Sequence, residues 1–144
     1  MSVLGLDVGE KRIGLARSDE LNFMAHAVSF LERKSDEELV HELQKMIDEF
    51  DIKTIVVGLP KTMKGESGTQ AAKVLSLVER LKPYIQSPIV MWDERLTTVE
   101  AERALIRQDM SRARRKMKRD SIAAEIMLQS YLDFLKQKGT ASDV

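Results

Sequence analysis

The run Leu4-Gly5-Leu6-Asp7-Val8-Gly9, followed at once by Ile13-Gly14-Leu15-Ala16, constrains this chain more than any other segment. Two short apolar runs separated by Glu10-Lys11-Arg12 predict neighbouring strands, at residues 2–8 and 13–17, joined by a polar turn. One carboxylate interrupts the first strand close to its end. An acid there serves as a turn-former ahead of glycine or as a hard oxygen ligand for a metal in phosphate chemistry. The run itself leaves both readings open.

The rest of the chain says what stands around that acid. A third, weaker strand is expected at about 23–30. Ser35-x-x-Glu38 is a capping box, and Leu39, Val40, Leu43, Met46, Ile47 and Phe50 follow at helical spacing. Ile52 to Gly58 is a β-branched run that reads as a central strand. Leu59-Pro60 ends it, and Lys61 to Gly68 is a polar loop. Ala71, Val74, Leu75, Val78 and Leu81 mark a second amphipathic helix stopping near Pro83. Pro88 to Trp92 is a further strand, ending in Asp93-Glu94-Arg95. Thr97-x-x-Glu100, another capping box, opens a helix to about Gln108. A last helix carries Ile122, Ile126, Met127 and Phe134. The predicted fold class is α/β: a five-stranded mixed sheet, a three-strand antiparallel meander plus two parallel strands, with helices on both faces. Residues 1–138 are expected to form a single domain and 139–144 a mobile C-terminal tail.

Composition narrows the setting. A chain of 144 residues buries roughly 70% of its unfolded surface, enough for a core without staples. It has no cysteine, which excludes disulfides and thiolate metal sites. No apolar run reaches the length of a membrane span, and the N-terminus lacks the basic region and cleavage site of a secretory leader. A cytoplasmic protein with no membrane partner is expected.

Two further acids share the placing of Asp7. Glu94 follows the last strand, and Asp120 opens the last helix. Three acids at element ends, far apart in sequence, would form a Mg²⁺ or Mn²⁺ site if they converged, and two such ions about 4 Å apart would serve phosphoryl chemistry. Each also has a plain structural reading: turn aspartate, surface acid, and helix N-cap. Asp93 alternates to the opposite side of its strand from Glu94.

Charge is unevenly spread. The chain has 23 acidic and 23 basic side chains, yet Arg107, Arg112, Arg114, Arg115, Lys116, Lys118 and Arg119 face one acid, Asp109, within a single short segment. This segment runs into Asp120, so its cations suit the phosphates of a nucleic acid. The competing reading is a solvated loop. Lys11 and Arg12, after Asp7, and Arg95, beside Glu94, are secondary nucleic-acid-binding candidates. The Lys61–Gly68 loop opens a helix, where free N–H groups suit a phosphate.

Taken in order, Leu4-Gly5-Leu6-Asp7-Val8-Gly9, Ile13-Gly14-Leu15-Ala16, Val56-Val57-Gly58-Leu59-Pro60, Asp93-Glu94-Arg95-Leu96-Thr97-Thr98 and Asp120-Ser121-Ile122-Ala123-Ala124 resemble the motifs of the YqgF/RuvX family. That family is described both as Holliday-junction resolvases and as precursor 16S ribosomal RNA nucleases. The resemblance implies an RNase H-like fold and a Mg²⁺- or Mn²⁺-dependent nuclease. It implies Asp7, Glu94 and Asp120 as catalytic metal ligands, and a role at the 5′ end of small-subunit ribosomal RNA. The expected partner is structured RNA, with a DNA junction as the alternative, and the expected state is a monomer or weak homodimer. True resolvases place their glutamate at the end of the fourth strand. Here that position reads Gly58-Leu59-Pro60, and the glutamate arrives one strand later. Two other functions compete: an RNase H-like module that binds RNA or a transcription complex and cuts little, and a phosphotransferase of the actin/sugar-kinase type.

Overall fold

The structure is a computed structural model that describes residues 2–60, 68–94 and 119–142, the side chains of 119, 120 and 138–142 aside. The expected helix at 97–108, most of the Lys61–Gly68 loop and the basic segment before Arg119 lie outside these residues.

Five strands form one sheet in the order β3-β2-β1-β4-β5. They are β1 (Ser2–Val8), β2 (Arg12–Ser18), β3 (Ala25–Glu32), β4 (Ile52–Leu59) and β5 (Ile89–Asp93). β1, β2 and β3 make the antiparallel meander, and β1–β4 and β4–β5 are the parallel pairs. Helices α1 (Asp36–Phe50) and α2 (Thr69–Leu81) cover one face, and α3 (Arg119–Ser142) covers the other. The mixed sheet predicted from the order of apolar runs is the one observed.

Side-chain alternation along β1 divides the core in two. Leu4 and Leu6 point into the cluster under α1 and α2, with Ile13, Leu15, Ile55 and Val57. Val3 points the other way, with Ala16, Val56 and Trp92, toward Ala124, Met127, Leu128 and Leu132 of α3. The central strands are therefore apolar on both faces, which explains their unbroken apolar runs.

The first helix forms as its signals predict. The Ser35 hydroxyl accepts from the Glu38 N–H at 3.1 Å, and Asp36, Glu37 and Glu38 sit in the first turn, where the helix dipole favours acids. Asp51, at φ 52°, closes its C-terminus in the left-handed conformation. α2 lacks a capping side chain, worth about 1 kcal/mol. Burial of Val74, Leu77, Val78 and Leu81, at about 1.5–3 kcal/mol each, outweighs that loss, and the chain turns out through a 3₁₀ turn at Lys82–Tyr84.

β3 begins later than the expected 23–30. The Asp19 carboxylate accepts from the Phe23 N–H at 2.9 Å, and Asn22 adopts φ 59°. These contacts hold residues 19–24 in a turn, and the strand runs from Ala25 to Glu32.

α3 sits close to the sheet because its floor is small. A Cβ on Gly5 would lie 3.0 Å from the Leu128 Cβ, and Gly14 and Ala16 of β2 are buried. The Gln129 amide accepts from the Ala25 N–H and donates to the Phe23 carbonyl, and Lys136 Nζ donates to the same carbonyl. These bonds fasten the later turns of α3 to the start of β3. Its first turns consequently run toward the carboxyl end of β1, where Asp7 lies. The α3 backbone stays helical to Ser142, past the expected domain end at 138. Among the described residues no helix is long and apolar enough to cross a membrane.

Candidate active site

Asp7 follows Val3 and Gly5 on the α3 face of β1. The β1–β4 register sets Leu6 beside Val57, which brings Asp7 level with Gly58. Gly58 in turn pairs with Trp92 of β5. Glu94 lies two residues beyond Trp92 and so turns to the same face. Its carboxyl reaches back across β4 and hydrogen-bonds the Asp7 side chain. The two acids thus meet over the strand that separates theirs. They do so outside the carboxyl ends of parallel strands, at the point where the sheet order turns from β1 to β4, a place where open α/β sheets commonly bind ligands.

Gly58 makes this meeting possible. A Cβ there would stand 2.6 Å from Glu94 Oε1 and 3.1 Å from its Cγ. The space above β4, where a side chain from the fourth strand would project, is filled instead by a carboxylate delivered from the fifth. Sequence reading saw Gly58 only as part of a motif. The available signal was a glycine inside a β-branched run, which marks close approach of another group.

The electrostatics follow from the packing. Burial pushes the Glu94 carboxyl up to about 7, and the hydrogen bond and negative charge of Asp7, then the charge of Asp93, push in the same direction. Asp93 pairs with Leu59 in the ladder and projects to the other face, as its alternation predicts. Two carboxyls in hydrogen-bond contact need a proton or a cation between them. Both offer hard oxygen donors of the kind Mg²⁺ and Mn²⁺ take, and the cradle over Gly58 keeps a methyl group out of their space.

Asp120 is the second residue of α3, on the helix whose first turns run toward Asp7. It lies four and eight residues before Ala124 and Leu128, both fully buried against the sheet, so its backbone continues their stripe. Its side chain lies outside the described residues. Among the described residues no group of three His, Cys, Asp or Glu side chains forms a metal cluster.

Lys11 falls on the turn that follows Asp7 and Arg12 opens β2 directly after it, both exposed. The Gly9 N–H donates to the Arg12 carbonyl at 2.8 Å, and a Cβ on Gly9 would clash with that oxygen. Arg33, which sequence reading missed, ties the turn to the end of β3: its Nη1 donates to the Gly9 carbonyl at 3.0 Å and its N–H to the Lys11 carbonyl at 2.8 Å. The Arg12 guanidinium lies 5.2 Å over the Phe30 ring. Arg95, Arg112, Arg114, Arg115, Lys116 and Lys118 lie outside the described residues. Arg119 opens the α3 backbone, with its side chain also outside them. Trp92 is buried against Tyr131 and Phe134, with ring centroids 5.3 and 5.2 Å away, and is a core residue as expected.

The fold has solved counterparts. RuvC of Thermus thermophilus, solved with a Holliday junction substrate, superposes with a TM-score of 0.59 at 16% identity, over 93% of this chain and 96% of that one. The fowlpox virus resolvase, solved with Holliday junction DNA, gives 0.54 at 11% identity, over 94% and 99%. At these identities the likeness shows a shared fold: the five-stranded mixed sheet, with helices on both faces, is that of the resolvase class. The family model described as "RuvX: Holliday junction resolvase" matches residues 1–134. Relatives from Clostridium acetobutylicum and Clostridium novyi, each named "Putative pre-16S rRNA nuclease", are 48% and 49% identical over 92% of this chain and 98% of their own. The chain belongs to the RuvX family.

Proposed function

We propose that this chain is a divalent-metal-dependent nuclease that hydrolyses phosphodiester bonds in RNA and processes the 5′ end of precursor 16S ribosomal RNA in the cytoplasm. The observation that carries this reading is the contact between Asp7 and Glu94 over Gly58. The names of the relatives supply the substrate.

Asp7 and Glu94 are the residues that would hold Mg²⁺ or Mn²⁺, with Asp120 completing the set. The ion supplies Lewis acidity, which activates water for attack at phosphorus and offsets charge on the reacting phosphate. The chain's own part is to fix two carboxylates in register, one on β1 and one from β5, and to release the proton that Glu94 holds when no cation is bound. Lys11, Arg12, Arg95 and the segment Arg112 to Arg119 would neutralise the phosphates on either side. No histidine is needed as a base: His26 is exposed on β3 and His41 is on α1, away from the acids. The reading takes the chain as a monomer or weak homodimer, one domain over residues 1–138.

The test is cleavage of an RNA spanning the 5′ leader of precursor 16S ribosomal RNA, with Mg²⁺ or Mn²⁺, by wild type, D7N and E94Q. Both variants should lose cleavage by about a hundredfold or more. Unchanged cleavage by both would sink the assignment. Junction resolution is the second reading, favoured by the description of the family model. A four-way DNA junction offered beside the RNA decides between them by which is cut. Tight RNA binding by wild type without turnover on any substrate or metal would point instead to a binding module.

A further inference from the structure

A groove of about 440 Å³ lies beside the turn that follows Asp7. Arg33 and Lys34 at the end of β3, Lys73 of α2, Glu10 of the turn, and Asp36 at the start of α1 bound it. Its two acids already have partners. The Arg80 Nε binds the Asp36 carboxylate at 2.7 Å, and Lys73 Nζ stands 3.6 Å from Glu10. The second pair is long and its side chains are more than half exposed, so it holds little free energy. A phosphate can take Lys73 from Glu10 at small cost. Arg33 is held in place by the Gly9 carbonyl, which fixes one cation of the groove to the same turn that follows the catalytic strand. Glu10 is three residues past Asp7, within about 10 Å along the chain. A strand cut at Asp7 would therefore bring a flanking phosphate to this groove within a nucleotide or two.

The geometry points to the groove between Arg33, Lys34 and Lys73 as a subsite for the phosphodiester backbone of the nucleotides flanking the cut. It rests on the nuclease reading for its register, and it extends the binding surface onto the α1–α2 side of the molecule, away from the basic segment before α3. The contact is to phosphate and carries no base preference.

The decisive variant is K34A/K73A, since Arg33 also secures the turn. Binding of a twelve-residue oligouridylate is measured against salt concentration in a chelator, where no cleavage intervenes. K45A/K53A, which removes the same charge away from the groove, is the control, and K34R/K73R is the rescue. Loss of two phosphate contacts should lower the salt slope of log K by about 1.4 in K34A/K73A, leave it unchanged in the control, and restore it in the arginine variant. In the cleavage assay K34A/K73A should raise KM for the oligomer severalfold, leave kcat unchanged, and leave hydrolysis of a uridylyl dinucleotide unaltered. An unchanged slope, an equal fall in the control, or a wild type that fails to bind the oligomer overturns the subsite. Because the slope is read without hydrolysis, failure of the nuclease reading, seen as undiminished cleavage by D7N and E94Q, is a separate result.

Discussion

Glu94 hydrogen-bonds Asp7 although its strand is not a neighbour of β1; β4 lies between them and contributes Gly58 at the crossing. The pair therefore depends on a residue with no functional group. In G58A the new Cβ would stand 2.6 Å from Glu94 Oε1. The obstructing atoms are the end of a flexible side chain, so the carboxyl swings away and the fold holds. Cleavage should fall by about a hundredfold, as for other small misplacements of reacting groups, while stability changes by no more than about 1 kcal/mol. Parallel kinetics and calorimetry check both halves; retained cleavage would show that the crossing is not needed.

The shift at Glu94 sets a pH dependence. Its carboxyl ionises near its ordinary 4.5 in the unfolded chain and at about 7 in the fold. Between those values the folded state binds more protons than the unfolded one, so stability falls as pH rises through that window. Glu94 favours the fold fully below 4.5 and loses that contribution as pH passes 7. The site is partly open to solvent, so the effect is discounted to about 1 kcal/mol. E94Q should flatten this part of the profile and exceed wild type by about 1 kcal/mol above pH 7 in chelator. Equilibrium denaturation from pH 4 to 8 measures it.

Divalent metal should reverse that cost. A ligand that binds only the folded state at a hundredfold excess over its Kd stabilises by about 2.7 kcal/mol. Mg²⁺ or Mn²⁺ should raise the wild-type Tm, and D7N and E94Q should lose most of the rise. An equal rise in all three proteins would place the ion elsewhere.

Gly5 governs how closely α3 approaches. In G5A the added Cβ meets the Leu128 Cβ at 3.0 Å and Cγ at 3.5 Å, atoms near the helix backbone that cannot swing aside. Overpacking of this kind costs about 1–3 kcal/mol, a fall in Tm of roughly 2–4 °C for each kcal/mol in a chain of this size. A thermal melt that matches wild type would show that the helix accommodates the methyl group.

The basic segment has its own signature. R114A/R115A/K116A should weaken RNA binding across sequences and lower the salt slope by about 2. A slope equal to wild type would return the segment to an ordinary solvated loop.

Much of the architecture was legible because each element carried a local signal. The Ser35 capping box, the β-branched run at 52–58 and the alternation of Trp92 with Asp93 all read correctly. So did the placing of Asp7 and Glu94 at strand ends, where their convergence was left open and the strand they cross was not identified. Spacing shows where an acid leaves a strand and says nothing about the side chain it crosses. The last helix was read from Ile122, Ile126, Met127 and Phe134, and the pattern did not say which of them meet the sheet: Met127 is buried, Ile122 and Ile126 are half-buried, Phe134 is 45% exposed, and the fully buried positions are Ala124, Leu128 and Leu132. A floor of Gly5, Gly14 and Ala16 selects residues by closeness of backbone approach, and hydrophobicity alone does not encode that. Residues 23 and 24 went to a turn rather than β3 because an aspartate four residues earlier, Asp19, captured the Phe23 N–H.

The two halves of the core also differ in when they become possible. The cluster under α1 and α2 closes with residues drawn from 4 to 91, whereas the opposite cluster requires 124 to 132. As the chain leaves the ribosome, one side of the sheet can fold while the acid-bearing side is still bare. The last helix then arrives as a keystone. A chain synthesised as far as Glu94 thus holds both members of the Asp7–Glu94 pair on a sheet face that still lacks its cover.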